Sequence, residues 1–212
     1  MRVLLIENNV DHATIISHRL SGVLSDRDEC AEVRVESGEH RAVDEAESYD
    51  PDLILMDYRL GETDGVTLLC QMRDRGLYCP VILITGYGDE YLAADATRAG
   101  AEGYISKDDL QEDRFAEVIN RVWDHLDDWR DRRQEVAETR ALMSGITPRE
   151  REVMDLILSG KTNKEIAESL FRSVQTVKIH RANLMHKMNA HTPADLARKV
   201  FSAEHGPALH DS

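Results

Sequence analysis

The sequence predicts two folds in one chain: a doubly wound α/β domain with a five-stranded parallel sheet, then a small all-α helix-turn-helix domain. Three observations point there. Over residues 1–125, short β-rich apolar runs alternate with amphipathic helical stretches, the pattern of a parallel sheet covered on both faces. Residues 143–201 carry helical patterning alone. Between them, residues 126–142 form part of a polar stretch with no Gly or Pro, which predicts a helical linker.

The strand-forming runs are residues 3–6, 53–56, 81–84 and 104–105, with a weaker one at 31–35. Helical stretches at 11–24, 39–48, 65–75 and 89–99 and from about residue 110 lie between and after them. The segment 114–140 reads as one long helical run. Ile119, Val122, Leu126, Trp129, Arg133, Val136, Arg140 and Met143 recur along it at spacings of three and four. That seam has two readings: local packing of a last domain helix, or a dimeric coiled coil. Helical stretches at 149–159, 163–170, 174–188 and 193–201 follow. Thr147-Pro148-Arg149-Glu150 opens the first as a capping box, and Thr192-Pro193-Ala194-Asp195 opens the last. Residues 202–212 read as a frayed polar tail.

The chain has 212 residues, enough for two small domains. Aromatic residues make up 5%, so the cores must be aliphatic. No apolar run approaches the ~18 residues of a membrane span. The opening apolar run, residues 3–6, stops at Glu7 and is no signal peptide. Cys30, Cys70 and Cys79 are odd in number and scattered, which suits reduced thiols in the cytoplasm. The net charge of −14 argues against a nucleic-acid partner until the chain is divided. Residues 1–139 hold 15 Lys and Arg against 32 Asp and Glu, or −17; residues 140–212 hold 11 against 8, or +3. A mildly basic module lies behind a very acidic one.

Polar groups follow the strands in a suggestive order. Glu7-Asn8-Asn9 follows the first, Asp57 ends the third, Thr85 ends the fourth and Lys107 follows the fifth. In a parallel sheet these ends converge. Attack on phosphorus needs a carboxylate, a cation to neutralise phosphoryl oxygens, a hydroxyl and an ammonium. Asp57, Glu7, Thr85 and Lys107 can supply those roles. The set, with the Asp57…Asp64-Gly65 loop, resembles the flavodoxin-like receiver domain of bacterial response regulators over residues 1–125. The resemblance implies that Asp57 is the phosphoacceptor. It implies that Glu7, Asp57 and the backbone carbonyl of Arg59 hold Mg²⁺, and that Thr85 and Tyr104 form a switch pair. Two positions depart from the pattern. Asn8 stands where a second acid is usual, which makes it a weak ligand and predicts reduced Mg²⁺ affinity. Asp108 replaces the usual proline after Lys107, so a trans bond or a rearranged loop is expected, because a cis bond there would cost roughly 2.5–4 kcal/mol.

In the C-terminal segment, a turn at Phe171-Arg172-Ser173 separates two helical stretches, as in a helix-turn-helix. Ser173 is the expected N-cap of the second. Gln175, Thr176, Lys178, Ile179 and Arg181 occupy the positions that face bases. Lys161, Lys164, Arg172 and His180 are placed to meet phosphates. TPREREVMDLILSGKTNKEIAESL and SVQTVKIHRANLMHKM resemble the LuxR/FixJ-type DNA-binding domain over residues 143–201.

The combined resemblance implies a two-component response regulator. A sensor histidine kinase phosphorylates Asp57, and the protein then dimerises and binds DNA to regulate transcription. No enzymatic activity is expected beyond phosphotransfer and dephosphorylation on Asp57 itself. Asn8 motivates an alternative, a DNA-binding regulator whose receiver dimerises without phosphorylation. A third reading, an Asp-nucleophile phosphatase, calls for an acid two residues after the nucleophile, where Arg59 stands.

Overall fold

The computed structural model describes residues 1–26, 30–86, 90–111 and 113–206. Five parallel strands form one sheet: β1 (Arg2–Ile6), β2 (Glu32–Glu36), β3 (Leu53–Asp57), β4 (Val81–Thr85) and β5 (Gly103–Ser106), in the order β2-β1-β3-β4-β5. Every residue of β3 and β4 is buried, which is why both read as unbroken apolar runs. β2 is one of the two edge strands, with the sequence EVRVE, and is mostly exposed. Its alternating charges suit an edge that must not pair with another chain. They also weaken its sequence signal, and it begins one residue later than expected.

Helices α1 (Val10–Ser25), α2 (Glu39–Tyr49), α3 (Gly65–Asp74), α4 (Glu90–Arg98) and α5 (Asp113–Asp124) cover the sheet. On one face Ala42, Ala46, Leu68, Met72 and Ala96 pack with Leu4, Ile54, Met56 and Leu83. On the other, Ile16, Leu20, Phe115 and Ile119 of α1 and α5 pack with Val3, Leu5, Leu55 and Ile84. Adjacent strand residues thus feed opposite cores, and each buried Leu or Ile side chain contributes roughly 1.5–3 kcal/mol. At the amino end of the sheet, Arg73 is nearly buried. It donates to the carbonyl of Leu77 before β4 and, at 3.1 Å, to that of Gly100 before β5. Burial works against its charge, and the two carbonyls offset part of that cost.

Three segments differ from expectation. The chain does not enter α5 near Leu110: Lys107–Gln111 is a 3₁₀ turn, and α5 starts at Asp113. The described peptides are all trans, Lys107–Asp108 among them, as expected. The run 114–140 is two helices, not one, because the chain breaks at His125 before α6 (Leu126–Ser144). The His125 N–H bonds back to Val122, and its carbonyl receives the Trp129 N–H. Asp127 and Asp128 occupy the first turn of α6, where carboxylates favour a helix start. The apolar seam residues Ile119, Val122, Leu126, Trp129 and Val136 are buried.

The chain divides into two compact units, Met1–Asp131 and Arg132–Ala208. The second contains α7 (Pro148–Leu158), α8 (Asn163–Ser169), α9 (Val174–Lys187) and α10 (Pro193–His205). α10 continues four residues past the expected end at Phe201. Ala203 is buried, and its carbonyl receives Arg140 Nε at 2.7 Å, which holds the last turn in place. Residues 207–212 of the expected tail lie outside the described residues.

The capping box at Thr147 forms as the sequence indicates. Glu150 does more than cap. Its buried carboxylate accepts from the Thr147 N–H at 2.9 Å, the Thr147 hydroxyl at 2.8 Å and Lys187 Nζ at 2.8 Å. The start of α7 is thereby tied to the end of α9. Lys187, followed by Thr147, holds the Glu150 pKa down to about 2 from 4.5. A depressed carboxylate stabilises the fold fully above its unfolded value and loses that contribution as pH falls through its folded value. The second unit should therefore lose stability between pH 4.5 and about 2. Thermal melts across that range should show a smaller pH dependence in Glu150→Gln than in wild type, with a melting temperature already lowered at neutral pH.

Candidate functional site

The carboxyl ends of the strands bring together four of the residues singled out in the sequence. Glu7 follows β1, Asp57 ends β3 and Thr85 ends β4; all three are buried. Lys107, directly after β5, places Nζ 2.8 Å from Glu7 Oε2 and 2.8 Å from Asp57 Oδ2. Partial burial works against the Lys107 charge, but the hydrogen bonds to Asp57 and Glu7 outweigh it and hold its pKa above the usual lysine value. Tyr104 lies half-buried in β5.

Backbone geometry fixes Asp57. Its Oδ1 accepts the Arg59 N–H at 3.2 Å, and Tyr58 N–H continues the ladder to Ile84 at 2.7 Å. The loop then turns tightly, with Arg59 bridged to Asp64 and the Gly65 N–H bonded to Tyr58 at 2.8 Å. Gly65 is required by close approach: a Cβ would come within 2.9 Å of both the Asp57 carbonyl oxygen and Leu83 Cδ2. The Arg59 side chain is exposed and brings no carboxyl to the site.

Asn8 is exposed. The polar work at that turn falls to its neighbour: Asn9 caps α1 by accepting from the N–H groups of Asp11 and His12, and its own N–H bonds Glu7 Oε1 at 3.0 Å.

Two participants were missed in the sequence. His12 sets Nδ1 2.9 Å from Lys107 Nζ, so all three ammonium hydrogens have acceptors. An ammonium only donates, so Nδ1 must be the acceptor in this contact. A lone His two residues into a helix carries no sequence signal for this. Glu39, at the start of α2, accepts from the backbone N–H groups of Glu62 and Thr63 and so ties down the loop that follows Asp57. Its separation from that loop hides the contact in the sequence.

The helix-turn-helix forms from α8 and α9. Ile166, Ala167, Val177, Leu184 and Met188 are buried together, with Leu170 packed against them. Ser173 caps α9 by accepting the Thr176 N–H at 3.1 Å. Gln175, Lys178 and Ile179 are exposed as expected, as are Lys164 and Arg172; His180 and Lys161 are half-buried. Two expected base readers are engaged within the motif instead. The Thr176 hydroxyl bonds that of Ser173 at 2.8 Å, and Arg181 donates to the Asn163 side chain at 3.0 Å. Lys161 also bonds Ser169, at 3.1 Å.

Removing one partner of a buried ion pair costs about 3–5 kcal/mol, because the other charge is left uncompensated. Lys107→Met should destabilise the first unit by roughly that amount at neutral pH. Chemical denaturation at neutral pH checks this.

The described helices include none long and apolar enough to cross a membrane. The family model for the response regulator receiver domain matches residues 3–120, and that for bacterial regulatory proteins of the luxR family matches residues 144–200. The transcriptional regulatory protein FixJ of Rhizobium meliloti (strain 1021) is 32% identical over 173 residues, 80% of this chain and 84% of that protein. FixJ of Azorhizobium caulinodans is 34% identical over 161 residues, 75% of each chain. The crystal structure of full-length FixJ from B. japonicum matches at 25% identity with a TM-score of 0.50, covering 95% of this chain and 96% of that one. With the receiver match alone spanning more than half its length, the chain belongs to the response regulators, as a FixJ-like member with a receiver domain and a LuxR-type DNA-binding domain.

Proposed function

We propose that a sensor histidine kinase phosphorylates Asp57, and that the phosphorylated chain dimerises and binds paired DNA half-sites to control transcription in the cytoplasm. The receiver would occupy residues 1–125, the helical linker 126–142 and the DNA-binding domain 143–201. The observation that carries the reading is Lys107 held between Glu7 and Asp57 at the strand ends. In the transfer, an Asp57 oxygen forms a bond to phosphorus as the bond to the leaving group breaks. Lys107 then pairs with phosphoryl oxygens that replace its carboxylate partner, and the Thr85 hydroxyl approaches them with Tyr104 as its switch partner. Glu39 keeps the loop after Asp57 in place meanwhile.

The donor chemistry fits Mg²⁺, since Glu7 and Asp57 are oxygen donors and Arg59 offers a carbonyl in the same turn. Among the described residues no group of three or more His, Cys, Asp or Glu gathers as a metal site, and Asn8 supplies at most an amide oxygen. The cation would neutralise phosphoryl oxygens. In the DNA-binding domain, Gln175, Lys178 and Ile179 would meet bases. Lys164, Arg172 and His180 would meet phosphates, with Thr176, Arg181 and Lys161 contributing on release from their internal partners.

Labelling by a small acyl phosphate should require both Mg²⁺ and Asp57, and should vanish in Asp57→Ala. Labelling that survives the substitution excludes Asp57 as acceptor. Asn8 favours a second reading, in which the receiver acts as a dimerisation module without phosphorylation. An Asp57→Ala chain that still dimerises and binds DNA like wild type would support it. Restoring the missing charge with Asn8→Asp should tighten Mg²⁺ about tenfold, the factor that one extra ~1.4 kcal/mol interaction gives. A metal titration followed by intrinsic fluorescence measures it.

A further inference from the structure

Phe171 stands apart from every other residue of the described chain in its backbone. Left-handed φ values occur at Gly61, Gly76, Gly100, Gly160 and Gly206, and at Asp50 and Asn189. These are the residue types that adopt that conformation at least cost. Phe171, at φ +51°, is the exception. It ends α8 with the Arg172 N–H bonded to Ala167 at 2.9 Å, a turn that glycine would make without strain. Its ring gains nothing in return from the protein, because the residue is 92% exposed. A strained backbone and an uncovered large apolar side chain at one position point to a contact outside the chain.

The surroundings indicate which contact. Phe171 lies two residues before Ser173, the N-cap of α9. Val174, 40% exposed, and Ile179, 53% exposed, continue an apolar series into that helix. Lys164, Arg172 and Lys178 are exposed in the same motif, and the amino end of α9 adds its positive dipole. An apolar ring framed by cations at a helix start suits a polyanion that also offers apolar surface. We propose that Phe171 is a DNA-contacting residue whose ring packs against the deoxyribose edge of the strand flanking the groove that α9 enters. This rests on α9 being the helix that meets DNA. The contact is with sugar, so it adds affinity to any duplex and carries no base preference.

Fluorescence anisotropy of the full chain on a labelled mixed-sequence duplex, repeated over a range of salt concentrations, tests the proposal. Phe171→Gly is expected to weaken binding about three- to tenfold, the effect of uncovering part of a phenylalanine ring. The slope of log affinity against log salt should stay the same, because an uncharged ring displaces no counterions. Phe171→Trp should bind like wild type. Lys178→Ala serves as the reference for α9, with weaker binding. Thermal melting of Phe171→Gly should be no lower than wild type, since its backbone strain is relieved; if it is lower, Phe171→Asn replaces it under the same criterion. Wild-type affinity in the Phe171 variants, together with a loss in Lys178→Ala, overturns the Phe171 contact and leaves the role of α9 standing. No change in any variant removes both.

Discussion

The Lys107 ammonium lies between two carboxylates that are almost wholly withdrawn from water, and three strands must be in register to bring the groups there. Glu7 comes from β1, Asp57 from β3 and Lys107 from β5, which is not adjacent to either in the sheet. A one-residue slip in any strand would turn its last side chain toward the opposite face. The apolar alternation that fills the two cores therefore also sets the chemistry at the strand ends. Two buried carboxylates without a cation would repel one another and resist burial. The lysine makes the pair tolerable in the fold and is also the group suited to meet a phosphoryl oxygen.

Much of this was legible in the sequence because the signals are local. β3 and β4 are apolar throughout, and their terminal Asp57 and Thr85 stand out as polar groups at the ends of such runs. The box at Thr147 and the caps at Thr192 and Ser173 depend on residues within one helical turn. The harder features depend on distance or on competing signals. β2 carries charges on alternate positions and is held mainly by backbone pairing to β1. The break at His125 involves neither Gly nor Pro; its mark is the Asp127-Asp128 pair, which also reads as ordinary surface. His12 and Glu39 reach the site across 95 and 23 residues of sequence, and no periodicity records such contacts.

The second unit uses its polar residues differently. Glu150 gathers a cap and an ion pair in one carboxylate, joining the start of α7 to the end of α9. Thr176 and Arg181 occupy positions on α9 that a helical wheel assigns to DNA, yet both bond within the motif. A helical wheel gives the direction of a side chain and not its partners. The same limit hides the left-handed turn at Phe171, where residue type alone argues for a right-handed backbone.

Arg73 gives the receiver a mechanical asymmetry. By joining the segment before β4 to the segment before β5, it fastens the amino ends of these two strands to one another. Their carboxyl ends bear Thr85 and lead to Lys107. One side chain thus adds to the strand pairing a second tie between β4 and β5, at the end of the sheet away from Asp57.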